Sequence, residues 1–295
     1  MSGITVCNNG STAQAAMIAA ESDTRGTGLS ENLSWLFRVA VCMEFIGHGA
    51  FGVMTKAAWV PYFGVVGMPE AWAWRLMPIV GWIDITLGVI GLLSPRRAVL
   101  GWMAFWGLWT ASLRPLAGQG MWELPERAGN YGVPLAFLML AGRPQRLSDW
   151  LSPIRAFDVS QDRLAKIAFV LRVTTATLLI GHGGCGAILQ KSMFASHYSA
   201  IGLSSLTVEM TSLITGIGWF EIALGTLILL RPRDELLWFA LVWKIATELL
   251  FSLSGAPIWE FIERGGSYAA PLALIMVGNW RQRMSEKQIQ LVTKE

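Results

Sequence analysis

The stretch Trp122–Ala136, W-E-L-P-E-R-A-G-N-Y-G-V-P-L-A, returns as Trp259–Ala273, W-E-F-I-E-R-G-G-S-Y-A-A-P-L-A. Glu123, Glu126, Arg127, Gly129, Tyr131 and Pro134 recur as Glu260, Glu263, Arg264, Gly266, Tyr268 and Pro271, each 137 residues on. Carried toward the N-terminus, the same offset pairs Trp106 with Trp243 and Asp84 with Glu221. Small changes in loop length then pair Lys56 with Lys191, His48 with His182 and Arg38 with Arg172. A repeat of this length and order predicts two homologous halves.

Composition puts both halves in a membrane. Of 295 residues, 53% are hydrophobic, only 15% are charged and 15 are Trp, which departs from soluble usage. Crossing the hydrocarbon core takes about 20 mostly apolar residues as a helix, because a helix satisfies its own backbone in lipid. Eight segments approach that: 33–54, 72–93, 98–116 and a shorter 128–141, then 164–189, 209–230, 236–254 and 262–277. The expected fold is an all-α membrane protein with eight transmembrane helices, arranged as two homologous four-helix bundles over residues 33–142 and 164–280. Residues 143–163, with several Arg, Asp and Pro, read as a cytoplasmic linker. Residues 1–32 lack the basic-then-apolar order of a cleaved signal and read as a disordered tail, and residues 281–295 as a second polar tail.

Fourteen of the 23 Lys and Arg fall on the side of the linker and termini, whereas only Lys56, Arg127, Lys191 and Arg264 fall on the other. That bias predicts a bacterial-type cytoplasmic membrane with both termini cytoplasmic and the W-E-x-x-E-R stretches facing outward. A net charge of +3 is too small and scattered for nucleic-acid binding. Cys7, Cys42 and Cys185 have no C-x-x-C spacing, so neither a disulfide framework nor a zinc site is indicated.

In the first span Arg38 is followed by Glu44, by G-H-G at Gly47–Gly49 and then by Lys56. In the fifth, Arg172 is followed by G-H-G-G at Gly181–Gly184 and Lys191. These stretches, R-V-A-V-C-M-E-F-I-G-H-G-A-F-G-V-M-T-K and R-V-T-T-A-T-L-L-I-G-H-G-G-C-G-A-I-L-Q-K, resemble the DoxX and DoxD-like membrane family. That family's repeat opens with an arginine in its first span, a histidine-glycine pair near its end and a following lysine. The resemblance implies a duplicated four-helix unit. It also implies a link to sulfur-compound oxidation with electron delivery to quinone, or to thiol redox homeostasis, alongside a peripheral or membrane redox partner.

His48 and His182 have three readings: histidines fixed in tight helix contacts beside glycine, a facing pair able to ligate haem, or groups exchanging protons with a quinone. Asp84 and Glu221 sit near the middle of their spans, where an ionisable group costs a few kcal/mol unless partnered. They are either ion-paired, with Arg38 and Arg172 or with the histidines, or functional. Glu123, Glu126 and Arg127, like Glu260, Glu263 and Arg264, share one helical face at i, i+3 and i+4, with Tyr131 and Tyr268 beyond them. They read as helix-start and anchor residues, or as a polar mouth for an anionic substrate or a partner.

The halves diverge at Glu44, Arg75 and Arg114, which align with Leu178, Ser212 and Phe251, while Lys244 and Glu248 face Gly107 and Ala111. The first half, with Glu44, His48, Asp84 and Arg114, is the preferred site. Among functions, a redox-associated subunit handling quinone or a sulfur species leads. A non-catalytic scaffold in membrane lipid follows, and a transporter or lipid-like ligand binder is third. No Rossmann fingerprint, C-x-x-C-H or iron–sulfur cysteine cluster is present, so a redox role needs a carrier from elsewhere.

Overall fold

The computed structural model describes residues 9–155, 157, 160–205 and 207–292. Within the first half run α1 (Asn9–Val53), α2 (Val60–Val65), α3 (Glu70–Leu93), α4 (Arg97–Leu116), α5 (Glu123–Glu126) and α6 (Ala128–Leu140). After α7 (Ser148–Leu151) come α8 (Gln161–Ala187), α9 (Met193–Ala200), α10 (Met210–Leu230), α11 (Asp234–Leu253), α12 (Trp259–Ile262) and α13 (Gly265–Val292). Among the described residues there is no β-strand, only an isolated bridge between Arg96 and Pro153. Five helices among the described residues are long and apolar enough to cross a membrane: Gly28–Val53 within α1, then α3, α8, α10 and α11; α6 is apolar but shorter.

Exposed tryptophans and leucines belong on such helices. Trp82 on α3, Phe169 on α8, Trp219 on α10 and Val242 on α11 present large apolar side chains outward, the surface a lipid-facing helix needs. The inward faces carry small residues. α1 packs on α3, and α8 on α10, through glycines at which a Cβ would strike the facing backbone, Gly49 and Gly81 in one pair and Gly183 and Gly218 in the other.

The halves are not self-contained. α1 packs on α13 and α6 on α8, and one core cluster takes Phe37, Leu100 and Phe137 from the first half and Leu171, Leu237 and Ala270 from the second. The centre is therefore a four-helix arrangement of α1, α6, α8 and α13, flanked by α3 and α4 on one side and α10 and α11 on the other. At its heart α6 and α13 cross at Gly129 and Gly266, where a Cβ on either would meet the other's backbone.

Three stretches differ from the composition-based expectation. α1 begins at Asn9, inside the stretch read as a disordered tail, because A-Q-A-A-M-I-A-A at 13–20 consists largely of strong helix formers; residues 1–8 lie outside the described residues. The linker is anchored: the Arg97 guanidinium donates to the carbonyls of Ala141, Gly142 and Asp149, and Ile154 N–H donates to Pro95. α13 continues through Val292, so the second tail is helical over most of its length.

Candidate functional site

Each G-H-G helix ends in the same way. Thr55 (φ +55°) and Gln190 (φ +45°) take the left-handed conformation that reverses a chain after a helix, and the next N–H closes the turn onto Phe51 O from Lys56 and onto Cys185 O from Lys191. The two lysines are thereby carried back over the helix ends.

What they meet is the repeated motif of the other half. Lys56 Nζ lies 2.5 Å from Glu260, and Lys191 pairs with Glu123. The backbone of Glu126 rests on Gly181, and that of Glu263 on Gly47, so closely that no side chain fits at either glycine. Arg127 reaches Glu263 at 2.8 Å while Arg264 reaches Glu126 at 3.3 Å. This reciprocal exchange explains the spacing of W-E-x-x-E-R. The first glutamate takes the lysine of the opposite half, the second seats on its glycine, and the arginine crosses to the second glutamate.

The motif is thus largely buried and is not one continuous helical face. α5 and α12 are single turns, Arg127 breaks from helical geometry between α5 and α6, and Glu123, Arg127, Glu260, Glu263 and Arg264 are all buried. Burial opposes ionisation of Glu126, but Arg127 and Arg264 outweigh it and hold its carboxyl down at about 2. Tyr131 and Tyr268 serve the motif rather than a ligand, donating to the carbonyls of Leu124 at 3.3 Å and Phe261 at 3.0 Å.

Arg38 and Arg172 stand away from the histidines. They donate to the last carbonyls of α3 (Leu92) and α10 (Leu229 and Leu230), so the expected ion pairs with Asp84 and Glu221 are absent from the described contacts. The carboxylates instead take the histidines: His48 Nδ1 to Asp84 Oδ2 at 2.8 Å and His182 Nδ1 to Glu221 Oε2 at 2.6 Å. An indole backs each pair, Trp106 Nε1 at 3.4 Å from Asp84 and Trp243 Nε1 at 2.7 Å from Glu221. The Trp106–Trp243 offset was visible in the sequence, but not that the indoles donate to the carboxylates. A carboxylate accepting from Nδ1–H fixes the tautomer and leaves Nε2 for a ligand.

The surroundings of the two histidines differ. His48 stacks on Trp59 (4.4 Å) and lines a cavity of about 350 Å³ between α3 and α4, walled by Tyr62, Met77, Val80, Trp109 and Leu113, with Arg114, Arg127 and Asn130 at its polar end. His182 meets Phe194 edge-on and lines a different, polar cavity of about 180 Å³ together with Lys56, Arg114, Lys191 and Arg264. The two histidines do not share one apolar space of the kind a haem between them requires. Among the described residues no group of three His, Cys, Asp or Glu side chains is placed to hold a metal ion.

At the positions aligned with Gly107 and Ala111, which line the first cavity, the second half carries Lys244 and Glu248, which pair with each other, Glu248 also meeting Arg264 at 2.5 Å. Where Arg114 lies over Tyr62 and pairs with Glu123 at 3.2 Å, the second half sets Phe251 against His197. His197, which the sequence did not single out, is buried on α9, and burial together with the nearby His182 lowers it to about 4, so it is neutral near pH 7. Cys42 and Cys185 are both free.

No family model, no curated protein and no solved structure matches this chain.

Proposed function

We propose that the chain is an eight-span integral membrane protein, both termini cytoplasmic, whose first half binds a quinone-type ring in the apolar cavity between α3 and α4. His48, oriented by Asp84, exchanges a proton with a ring oxygen, while electrons pass to or from a redox partner protein. The observation that carries this reading is the cavity itself: about 350 Å³, aromatic and aliphatic over most of its wall, with His48, Arg114, Arg127, Thr110, Asn130 and Tyr62 as the polar residues that line it and Asp84 holding His48. A flat apolar ring with two polar oxygens suits such a wall. The DoxX-like opening of each half supports the same assignment. On this reading a sulfur or thiol anion, if one is handled, takes the smaller cavity, whose lining carries Lys56, Lys191 and Arg114.

Trp59, Trp106 and Trp109 line the cavity, so a short-chain quinone added to the protein in mild detergent should quench tryptophan fluorescence saturably. The quench should disappear when Ala111→Trp fills the cavity. Linear, non-saturating quenching identical in that variant would overturn the assignment.

A scaffold role is the second reading, and the closed exchange of ion pairs between the halves favours it. It expects the cavity to hold only bulk lipid acyl chains, which mass spectrometry of the copurified small molecules would reveal.

A further inference from the structure

Glu44 stands out among the buried carboxylates. It is 1% exposed, neither of its oxygens has a hydrogen-bond partner among the described residues, and the nearby N–H of Gly266 closes no bond of good geometry. A buried polar group is normally paired, so an unpaired one implies an unseen partner. Four residues ahead of His48 on α1, it lies on the same helical face.

Between the two residues is a chamber of about 10 Å³, walled also by Trp106, Gly107, Thr110 and Asn130. That is the room one water needs, roughly one probe sphere, and a buried water needs two to four polar partners. Glu44, Thr110 and Asn130, with His48 itself, are the polar residues that line the chamber. Thr110 spends its own hydrogen on the Trp106 and Gly107 carbonyls and keeps its lone pairs to accept. His48 lines both this chamber and the large cavity. The second half lacks these parts: Leu178 replaces Glu44, and Lys244 stands where Gly107 leaves the chamber open.

We propose that one water bridges Glu44 to His48 and relays protons between them, making Glu44 the proton store for the histidine. While no ring oxygen occupies Nε2 of His48, the Glu44 carboxyl gives its proton to the water as the water gives one of its own to Nε2, leaving a carboxylate and an imidazolium held by Asp84, whose Nε2–H a ring oxygen then takes. The reverse transfer restores both. The charged groups that the helices packed on α1 bring to this end are Asp84 from α3, Arg127 from the head of α6, and Glu260 and Glu263 from α12 and its end. This inference rests on the cavity being the working site, but its test does not need a ligand.

The chain has three histidines, so a pH titration by NMR of the ¹⁵N-histidine-labelled protein in detergent can follow each ring separately. Glu44→Gln and Glu44→Leu, the latter being the second half's residue, should each move the His48 midpoint by about one pH unit. Unchanged His182 and His197 signals would show that the fold is kept. Thr110→Val, which removes a partner of the water but no titratable group, should move it in part. A His48 midpoint unmoved by Thr110→Val and by whichever Glu44 variants fold overturns the relay. Failure of quinone to quench tryptophan fluorescence would overturn the cavity assignment instead, and the two results are read independently.

Discussion

The His48–Asp84–Trp106 and His182–Glu221–Trp243 groups are the same construction in different company. Both have Nδ1 on a carboxylate, an indole behind it and an aromatic ring against the imidazole. Around His48, alanine at 111 borders the cavity and glycine at 107 admits the α6 backbone. Around His182, a lysine and a glutamate occupy the aligned positions and pair with each other. The difference teaches that a chain can keep the dyad twice and set a large apolar cavity beside it once.

The largest test strikes what the halves share. Arg127→Ala leaves Glu263 and Glu126 short of a buried partner, and Arg264→Ala does the same to Glu126 and Glu248. Each should cost about 3–5 kcal/mol, read as a large fall in unfolding temperature in detergent. Equal losses would mean the exchange is symmetrical in energy as well as in form. A clearly larger loss for Arg264 would locate the extra load in its contact with Glu248.

Next come the histidine pairs. Asp84→Asn should slow proton exchange with bound quinone on the order of 100-fold, because the imidazole loses the partner that fixes its tautomer. Glu221→Gln should leave that rate unchanged. A matching loss in the second half would break the proposed asymmetry. His182→Ala, which strands the buried Glu221, should cost about 1–3 kcal/mol of stability without touching quinone affinity.

A smaller effect concerns acid. With Glu126 held at about 2 against an ordinary value of 4.5, its contribution to stability is complete above pH 4.5 and is lost as the pH falls toward 2. Melting temperatures measured across that window should fall in the wild type and fall less in Glu126→Gln. Smallest of all, Tyr268→Phe should cost about 1 kcal/mol, and Tyr131→Phe less, since its hydrogen bond is the longer of the two.

Much of this was legible in the chain. Hydropathy and the repeat locate the long helices, and the alignment of Gly107 and Ala111 with Lys244 and Glu248 already marks the halves as unequal. The pairing of His48 with Asp84 was among the alternatives, because two groups near the same depth in adjacent spans need partners. Three things were out of reach. Spacing shows that Glu126 and Arg127 lie close along the chain, but not that each completes its contacts in the other half, since that depends on how α6 and α13 cross. Arg38 and Arg172 carry the charge to match Asp84 and Glu221, yet one-dimensional spacing cannot tell a carboxylate from a row of terminal carbonyls as the acceptor. The small and polar residues of 1–32, without a signal-like order, suggested a tail, where the alanine content of 13–20 was the stronger guide to a helix.

The reciprocal exchange also sets the order in which the protein can be made. Arg127 is synthesised 136 residues before Glu263, its partner across the centre. At roughly 5–20 residues per second, the first half waits on the order of ten seconds with Glu123, Glu126 and Arg127 lacking their distal partners. During that interval the charges must stay at the membrane surface or be shielded by the insertion machinery. Only once α12 and the head of α13 have been made can Arg127 and Glu126 complete these contacts, and truncation before α12 would leave Arg127 without Glu263 and Glu126 without Arg264.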